Sequence, residues 1–257
     1  SLRSSAQLPE PRLKTARKIT RTMKLIAVTR MRRAHDARQH ADLYAGRLNR
    51  IVERLVNGGG TSGRSALSQA PEKAAARTLV VVISADRGLC GGFNSGLMRV
   101  TQEWLARRPP AAGAGEMATL GKRGALYGRS HGWDMRDFAV PTAQPAFHDA
   151  VRVGNELQSA FRAGNYREVY LAYNRVIPPL RVQPVLQRWL PFSAGEQKAQ
   201  GAADGFIIEP ARDELMDAIL PQAAIFMLYL ALLTSAAGEH TMRMVSMDSA
   251  TRNADEL

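Results

Sequence analysis

The glycine-rich stretch at residues 86–94 contains the residue types that could most readily do chemistry. It reads Asp-Arg-Gly-Leu-Cys-Gly-Gly-Phe-Asn and follows a continuous apolar run at residues 78–84. A strand, a glycine-rich turn and a helix in this order can bind phosphate, because the free amide groups at a helix N-terminus attract anions. However, the spacing Gly88-x-x-Gly91-Gly92 does not match the dinucleotide pattern G-x-G-x-x-G, and no acidic ribose partner ends a second strand.

These glycines are therefore interpreted first as a tight strand-to-helix turn with close backbone packing. The predicted turn residues are Asp86, Arg87, Gly88, Cys90, Gly91 and Gly92. A second glycine-rich stretch, at residues 58–65, nearly spells a phosphate-binding loop. Arg64 stands where that motif needs lysine, and no strand precedes it, so a flexible linker is predicted there.

Other groups that could catalyse a reaction or bind a metal are scattered. Cys90 is the only cysteine, which excludes an intrachain disulfide and a multi-cysteine zinc site. No histidine lies near Cys90 in the sequence, so a buried apolar role is favoured over a nucleophilic one. The histidines, which show no metal-ligand spacing, are His35, His40, His131, His148 and His240. We therefore predict no catalytic residue, no cofactor site and no metal site.

The region at residues 76–192 alternates strand and helix patterns and predicts a small α/β domain. Strands are expected at 78–84, 117–120, 168–176 and 181–190, with the last two joined in a hairpin-like turn at Pro178-Pro179. Helices are expected at 95–107, 121–130 and 147–163. Residues 1–11 are an extension, and linkers are predicted at 57–75 and 193–208.

Two long amphipathic segments, at residues 12–56 and 209–257, flank this domain. The first carries apolar or small residues with 4-3 spacing, which is typical of a coiled-coil seam. That seam comprises Ile19, Met23, Ile26, Arg30, Ala34, Ala37, Ala41, Tyr44, Leu48, Ile51 and Leu55. The second segment repeats the spacing from Ile219 to Ala254, so we predict that the two ends wind around each other. Two separate amphipathic helices on a shared core are the alternative.

The charges of the two segments are complementary. Residues 12–56 hold thirteen Lys or Arg and three acids, whereas residues 209–257 hold eight acids and three Arg. Most of the net charge of +12 therefore belongs to the first helix. A solvated basic face is the first interpretation, and docking to an acidic protein surface is the second. The most apolar run, at residues 219–233, is short for a membrane span, so the chain is expected to be at most peripheral to a membrane.

Three blocks resemble the gamma subunit, the central rotor shaft, of F-type ATP synthases. They are residues 17–34, which look like the first-helix signature, residues 84–94, which are similar to the most characteristic internal motif, and residues 238–254, which resemble the start of the closing helix. The blocks occur in the family order along nearly the whole chain. The resemblance implies an antiparallel coiled coil of N- and C-terminal helices with a small Rossmann-like α/β domain.

The resemblance also implies a mechanical function without chemistry by the chain itself. The shaft would turn inside three alpha and three beta subunits, and its base would sit on the membrane c-ring with an epsilon or delta subunit. Contacts with the beta subunits or stator would involve Arg17, Lys18, Arg21, Met23, Lys24, Arg30, Arg33, Glu239 and Arg243. Substitution of Arg243 by Ala is then expected to impair the coupling between rotation of the shaft and the beta subunits more than the stability of the chain.

The expected location is the matrix side of the mitochondrial inner membrane, because Arg3, Ser4 and Ser5 could belong to a processed targeting segment. The cytoplasmic side of a bacterial inner membrane is the alternative. A thylakoid is less favoured, because the resemblance implies an insertion in the central domain of photosynthetic members, with a redox cysteine pair in green plastids. Neither an insertion nor a second cysteine occurs between Leu190 and Glu209.

Two functions from other classes remain open. One is a nucleotide-dependent enzyme that dimerises through its helices and binds nucleotide at residues 88–94. The other is a basic coiled-coil nucleic-acid binder, whose affinity would fall steeply with salt.

Overall fold

Two long helices flank a segment in which strands alternate with shorter helices. The computed structural model describes residues 10–57, 65–71, 77–108, 114–133, 135–192 and 212–256. The helices are α1 (Glu10–Asn57), α2 (Phe93–Ala106), α3 (Lys122–Ser130), α4 (Phe147–Arg162) and α5 (Arg212–Asp255). The strands are β1 (Arg77–Ile83), β2 (Ala114–Leu120), β3 (Arg136–Asp137), β4 (Glu168–Ile177) and β5 (Arg181–Leu190).

The strands form one mixed sheet with the order β3-β2-β1-β4-β5. Strands β3, β2, β1 and β4 are parallel neighbours, and β5 pairs antiparallel with β4. The predicted α/β fold is confirmed, including the hairpin of β4 and β5. The short edge strand β3 was not predicted, because two residues carry no detectable alternation.

Strand β1 is buried on both faces of the sheet and divides the apolar interior into two layers. Val80 and Val82 pack with Leu97 and Met98 of α2. Val81 and Ile83 point to the other face, into a larger core that includes residues of α1, α4 and α5. This alternation follows from the two-residue period of a strand and explains why the run is apolar throughout.

Helices α1 and α5 pack antiparallel, as the family resemblance implies. At one end Lys24 pairs with Asp248, and the Thr251 hydroxyl donates to the Thr20 hydroxyl at 2.8 Å. Further along, the rings of Tyr44 and Phe226 lie edge to face, with 4.5 Å between their centroids. A helix of the 48 residues of α1 is about 72 Å long.

About half of the residues predicted to form the seam of α1 do not lie on its buried face. Tyr44 and Ile51 are 54% and 44% exposed, whereas their neighbours Ala45 and Val52 are buried. Ile19 and Ile26 are likewise about half exposed. The buried seam has Ala45 in place of Tyr44 and Val52 in place of Ile51. The predicted and the buried seam both have 4-3 spacing, and both contain Ala34, Ala41, Leu48 and Leu55. In the fold Val52, and not Ile51, lies with Leu55 in the larger core.

Helix α5 is covered on all sides in its middle. Every residue from 231 to 241 is buried, because α1, α4 and the sheet all pack against this part of the helix. By length and composition α5 could span a membrane, with a mean hydropathy of 1.8 over eighteen residues. Because 56% of that window is buried within the chain, its apolar character is explained by its position in the core.

The first predicted linker is partly packed. Residues 58–64 and 72–76 lie outside the described residues, but Leu67 is fully buried in the larger core. The backbone amide of Phe192 donates to the Leu67 carbonyl at 2.8 Å. The second predicted linker, at residues 193–208, lies outside the described residues.

Candidate functional site

The glycine-rich turn after β1 is held by side chains from three directions. The amide of Ala85 donates to the Asn94 side-chain oxygen at 2.8 Å, which closes the turn on the first residues of α2. The two carboxylate oxygens of Asp86 accept from the amides of Lys122 and Thr142, at 3.2 and 3.0 Å. Asp86 thereby connects the end of β1 to α3 and to the segment that precedes α4.

The same turn lies directly against α5. The guanidinium of Arg243 donates to the carbonyls of Gly88 and Arg87, at 3.2 and 3.4 Å. Gly91 has a φ of +55°, and a Cβ at this position would lie 2.8 Å from the Ser246 hydroxyl oxygen. Glycine is therefore required at position 91 both by its backbone conformation and by the closeness of α5. We call this contact, formed by residues 86–91 and residues 239–246, the loop–helix junction.

Two further side chains of α5 complete the loop–helix junction. The carboxylate of Glu239 lies 2.8 Å from Nη1 of Arg243, one helical turn away, and both residues are less than 10% exposed. Nε2 of His240 lies 3.1 Å from the Ala143 carbonyl oxygen, and its Nδ1 lies 3.4 Å from the Arg243 guanidinium. Carbonyl oxygens only accept and guanidinium groups only donate, so His240 is neutral, with its proton on Nε2.

Burial changes the acid–base behaviour of these groups. Loss of hydration raises the pKa of Glu239, against the opposing effect of the positive charge of Arg243. The Oε1 atom close to Arg243 also lacks a well-aligned hydrogen-bond donor among the described residues. Burial lowers the pKa of His240 to about 4, although its bond to Ala143 favours the protonated ring.

The geometry of the loop–helix junction suits mechanical attachment rather than phosphate binding. A phosphate site presents amide N–H groups to its ligand, whereas this turn directs two carbonyl oxygens toward the guanidinium of Arg243. The side chains of Met242 and Ser246 occupy the space beside Gly91. In the parts of the chain that the structure describes, no cluster of three or more His, Cys, Asp or Glu could hold a metal.

The comparisons with known proteins agree with this architecture. The family model described as ATP synthase matches residues 12–257. The ATP synthase gamma chain of Anaeromyxobacter sp. (strain Fw109-5) is 33% identical over 246 residues, which cover 95% of this chain and 85% of that protein. The chain belongs to the family of ATP synthase gamma chains. The gamma chain of Geobacter sp. (strain M21) is 31% identical over 95% of this chain and 84% of its own length.

Solved structures support the same fold. A chain from the central stalk and c-ring of the Tetrahymena thermophila mitochondrial ATP synthase superposes with a TM-score of 0.66 and 21% identity, covering 90% of this chain and 99% of that one. A rotor chain of the Euglena gracilis mitochondrial ATP synthase gives a TM-score of 0.60 and 15% identity, covering 95% and 88%. At this level of identity the match describes the architecture of a gamma chain and no individual residue role.

The basic residues predicted to contact partners lie on both sides of this gamma chain's first helix. Lys18, Arg21 and Arg33 are exposed, and Arg17 is half exposed beside Asp255. Met23, Lys24 and Arg30 are partly buried toward α5. The exposed positions are available to a neighbouring subunit, and their contact with one stays a prediction.

Glu239 and Arg243, which were also predicted as partner contacts, are enclosed by the chain itself. Glu239 is 1% exposed and Arg243 is 9% exposed. Their visible role is to attach the glycine-rich turn to α5. For this gamma chain we therefore expect substitution at Arg243 to affect the stability of the fold, which the sequence alone did not indicate.

Cys90 has the surroundings of a structural residue. It is 2% exposed, and its sulfur accepts from the side-chain amide of Asn94 at 3.4 Å. Burial raises the pKa of the Cys90 thiol, which lowers the fraction of reactive thiolate. These observations favour the apolar, buried interpretation of Cys90 over a nucleophilic one.

Several residues that build the site were missed by sequence reasoning. The Ser84 hydroxyl accepts from the Gly124 amide at 2.8 Å and lies 3.0 Å from the Gly121 carbonyl oxygen. The buried side chain of Asn174 donates to the Phe93 carbonyl at 2.9 Å. A lone Ser or Asn in a strand gives no spacing signal. Only their burial, which the sequence does not display, marks them as positioning groups.

The neutral state of His240 predicts an acid-sensitive fold. Between pH 6.5 and about pH 4 the unfolded chain binds a proton at His240 and the folded chain does not, so the free energy of unfolding falls as the pH falls. Relative to a His240→Asn variant, the wild-type chain should lose up to about 1.4 kcal/mol per pH unit in this window. Urea unfolding at pH 7, 6, 5 and 4.5 measures the difference. Parallel curves for the two proteins would mean that folding does not lower the pKa of His240.

Proposed function

We propose that this chain is the central-stalk rotor subunit of the F1 sector of a proton-translocating ATP synthase. It would transmit torque between the membrane c-ring and a ring of three alpha and three beta subunits, with an epsilon or delta subunit at its base. The observation that carries the proposal is the similarity to gamma chains over 95% of the sequence, together with the antiparallel pair of long helices. The chain itself would perform no chemistry.

The contacts between α1 and α5 support a role in transmitting torque. Ala27, Ala41 and Ala45 of α1 are buried, and their small side chains allow the two helices to approach closely. Ion pairs of Arg17 with Asp255 and of Lys24 with Asp248 join the two helices near one end. Close packing over many turns resists twisting of one helix relative to the other.

In a rotor subunit, the loop–helix junction would connect the α/β domain rigidly to α5. Torque that enters at the α/β domain must reach α5 without slippage between the two. Buried hydrogen bonds from Arg243 to the turn, and from Ser235 to the Ile83 carbonyl at 3.2 Å, fix the sheet to the helix at separate points. A domain connected only through flexible segments could not transmit a rotation to the helix.

The exposed basic face of α1 gives an experiment that tests the rotor proposal. Replacement of Lys18, Arg21 and Arg33 by Glu should lower ATP-driven proton pumping in the assembled complex, because each cation would contribute up to about 1 kcal/mol to contacts with acidic surfaces. The urea unfolding curve of the purified chain should stay the same within about 0.5 kcal/mol.

The matched control reverses three exposed arginines of the α/β domain, Arg129, Arg162 and Arg167. Net charge changes equally in both variants, so a general electrostatic effect would lower pumping in both. Loss of pumping only in the α1 variant supports the proposal. Unchanged pumping in the α1 variant would contradict the predicted contacts.

The proposed location is peripheral to the membrane that carries the complex. The matrix side of the mitochondrial inner membrane, expected from the first residues, stays a prediction beside the bacterial alternative, and the similar gamma chains named above come from bacteria. Fractionation of the source cells distinguishes the two locations.

A further inference from the structure

A cavity of about 170 Å³ lies between α1, α5 and the hairpin of β4 and β5. One wall is apolar, formed by Ala45, Leu48, Phe226, Leu230 and neighbouring residues of the two long helices. The polar residues of the lining, which we call the polar wall, are Arg38, Asp42 and Asn49 of α1, Tyr173 and Arg175 of β4, Gln187 of β5 and Thr234 of α5. The volume would hold about five water molecules, which is also enough for one tetrahedral oxyanion.

The polar wall carries an excess of positive charge. Arg38 and Asp42 form an ion pair of 2.9 Å on one turn of α1. Arg175 is the second cation, placed two residues after Tyr173 on β4 and therefore on the same face of the sheet. Two guanidinium groups and one carboxylate leave a net charge of +1 around the cavity.

One donor in this wall has no hydrogen-bond partner in the part of the chain that the structure describes. The Nε atom of Arg38 is buried and makes no hydrogen bond among the described residues, although the other end of its guanidinium binds Asp42. A buried guanidinium N–H without an acceptor is costly and calls for a water or an anion. The Tyr173 hydroxyl, which donates to Gln187 at 2.9 Å, is also placed at this wall.

The charged groups of the polar wall also act on the Tyr173 hydroxyl. Burial raises the pKa of Tyr173, the positive charges of Arg175 and Arg38 oppose that rise, and the negative charge of Asp42 adds to it. All three charged groups therefore act on the phenol oxygen, and the two cations outnumber the carboxylate.

We propose that this cavity binds a small inorganic oxyanion of the phosphate type. Arg38 Nε and the Arg175 guanidinium supply the charge, and the side-chain amides of Asn49 and Gln187 supply further N–H donors. Such an anion would join α1 to the hairpin through groups on both elements. Occupancy of the site stiffens the connection between the N-terminal helix and the sheet.

The test is a comparison of melting temperatures of the purified full-length chain in sodium phosphate and in sodium chloride at equal ionic strength and pH. Phosphate at about ten times its dissociation constant should raise the melting temperature by about 3 °C, and above that concentration the rise should continue in proportion to the logarithm of the phosphate concentration. Isothermal titration calorimetry should give one phosphate per chain. A melting temperature that responds equally to both salts would mean that the cavity holds water only.

Two variants assign the effect to the cavity. Arg175→Gln, on an exposed residue that is not expected to affect folding, should abolish the phosphate-specific rise, and Arg38→Gln should do the same. Arg162→Gln, an equal charge change on the exposed end of α4, should retain it. If Arg38→Gln does not fold, the comparison of Arg175→Gln with Arg162→Gln decides alone. A full phosphate response in Arg175→Gln would overturn the proposal, and this outcome would leave the rotor function untouched.

Discussion

Replacement of Arg243 by Ala should lower the free energy of unfolding by about 3–5 kcal/mol. The substitution leaves the carboxylate of Glu239 buried without its cation, and that carboxylate is only 1% exposed. It also removes the donors to the Gly88 and Arg87 carbonyls, so the glycine-rich turn loses its attachment to α5. Urea unfolding of the purified chain, followed by far-UV circular dichroism, measures the loss.

The chain provides a matched control for this substitution on the same helix. Arg252 also pairs with an acid four residues earlier, Asp248, but its side chain is 67% exposed. Arg252→Ala should therefore cost no more than about 0.5 kcal/mol. Equal losses for the two variants would show that Arg243 is not buried in the folded chain. The double variant Glu239→Leu with Arg243→Met should recover part of the loss, since it removes both buried charges.

This expectation changes what the sequence alone suggested. The i,i+4 spacing of Glu239 and Arg243 is typical of a weak surface pair, and the family resemblance suggested a contact with the stator. Burial gives the pair a large structural role, so loss of coupling in Arg243→Ala would be accompanied by loss of stability. Experiments on coupling should therefore be interpreted together with the unfolding curve of the same variant.

Replacement of Gly121 by Ala should be similarly damaging, at about 3–5 kcal/mol. Gly121 has a φ of +97°, a conformation that side chains disfavour, and an added Cβ would lie 2.3 Å from the Ser84 carbonyl oxygen. That oxygen belongs to the backbone at the end of β1, so relief of the clash must move the strand that carries the glycine-rich turn. The urea midpoint of the purified variant measures the effect.

Gly46→Ala is the opposite case and serves as the control. Gly46 lies within α1, and an added Cβ would meet nothing within 4 Å. Alanine is favoured over glycine in a helix, so this variant should be more stable by up to about 1 kcal/mol. If Gly121→Ala were as stable as the wild-type chain, the close approach between β1 and α3 would be absent.

The long helices and the main strands could be predicted because their signals are regular. The apolar run that becomes β1 is continuous, and the charges of α1 and α5 are complementary over many turns. The orientation of α1 could not be predicted, because Tyr44 and Ile51 are larger and more apolar as a pair than Ala45 and Val52. Hydrophobicity favoured the wrong face, because in the fold Val52, and not Ile51, lies with Leu55 in the larger core.

The loop–helix junction was only partly predictable for a related reason. The turn itself is visible in the sequence as closely spaced glycines, but its contacts connect residues far apart along the chain. Asp86 reaches Thr142, and His240 reaches Ala143. Neither pair has a local spacing that could reveal it. The neutral ring of His240 is explained by a carbonyl and a guanidinium that three-dimensional packing brings to its two nitrogens.

The most direct measurement of the central claim is native mass spectrometry of the complex that co-purifies with this chain in mild detergent. The rotor proposal predicts one copy of the chain together with three pairs of larger, nucleotide-bearing subunits. Dissociation of the complex into its subunits should yield this chain without bound nucleotide. A homodimer of the chain that carries its own nucleotide would contradict the proposal and would favour a nucleotide-dependent enzyme instead.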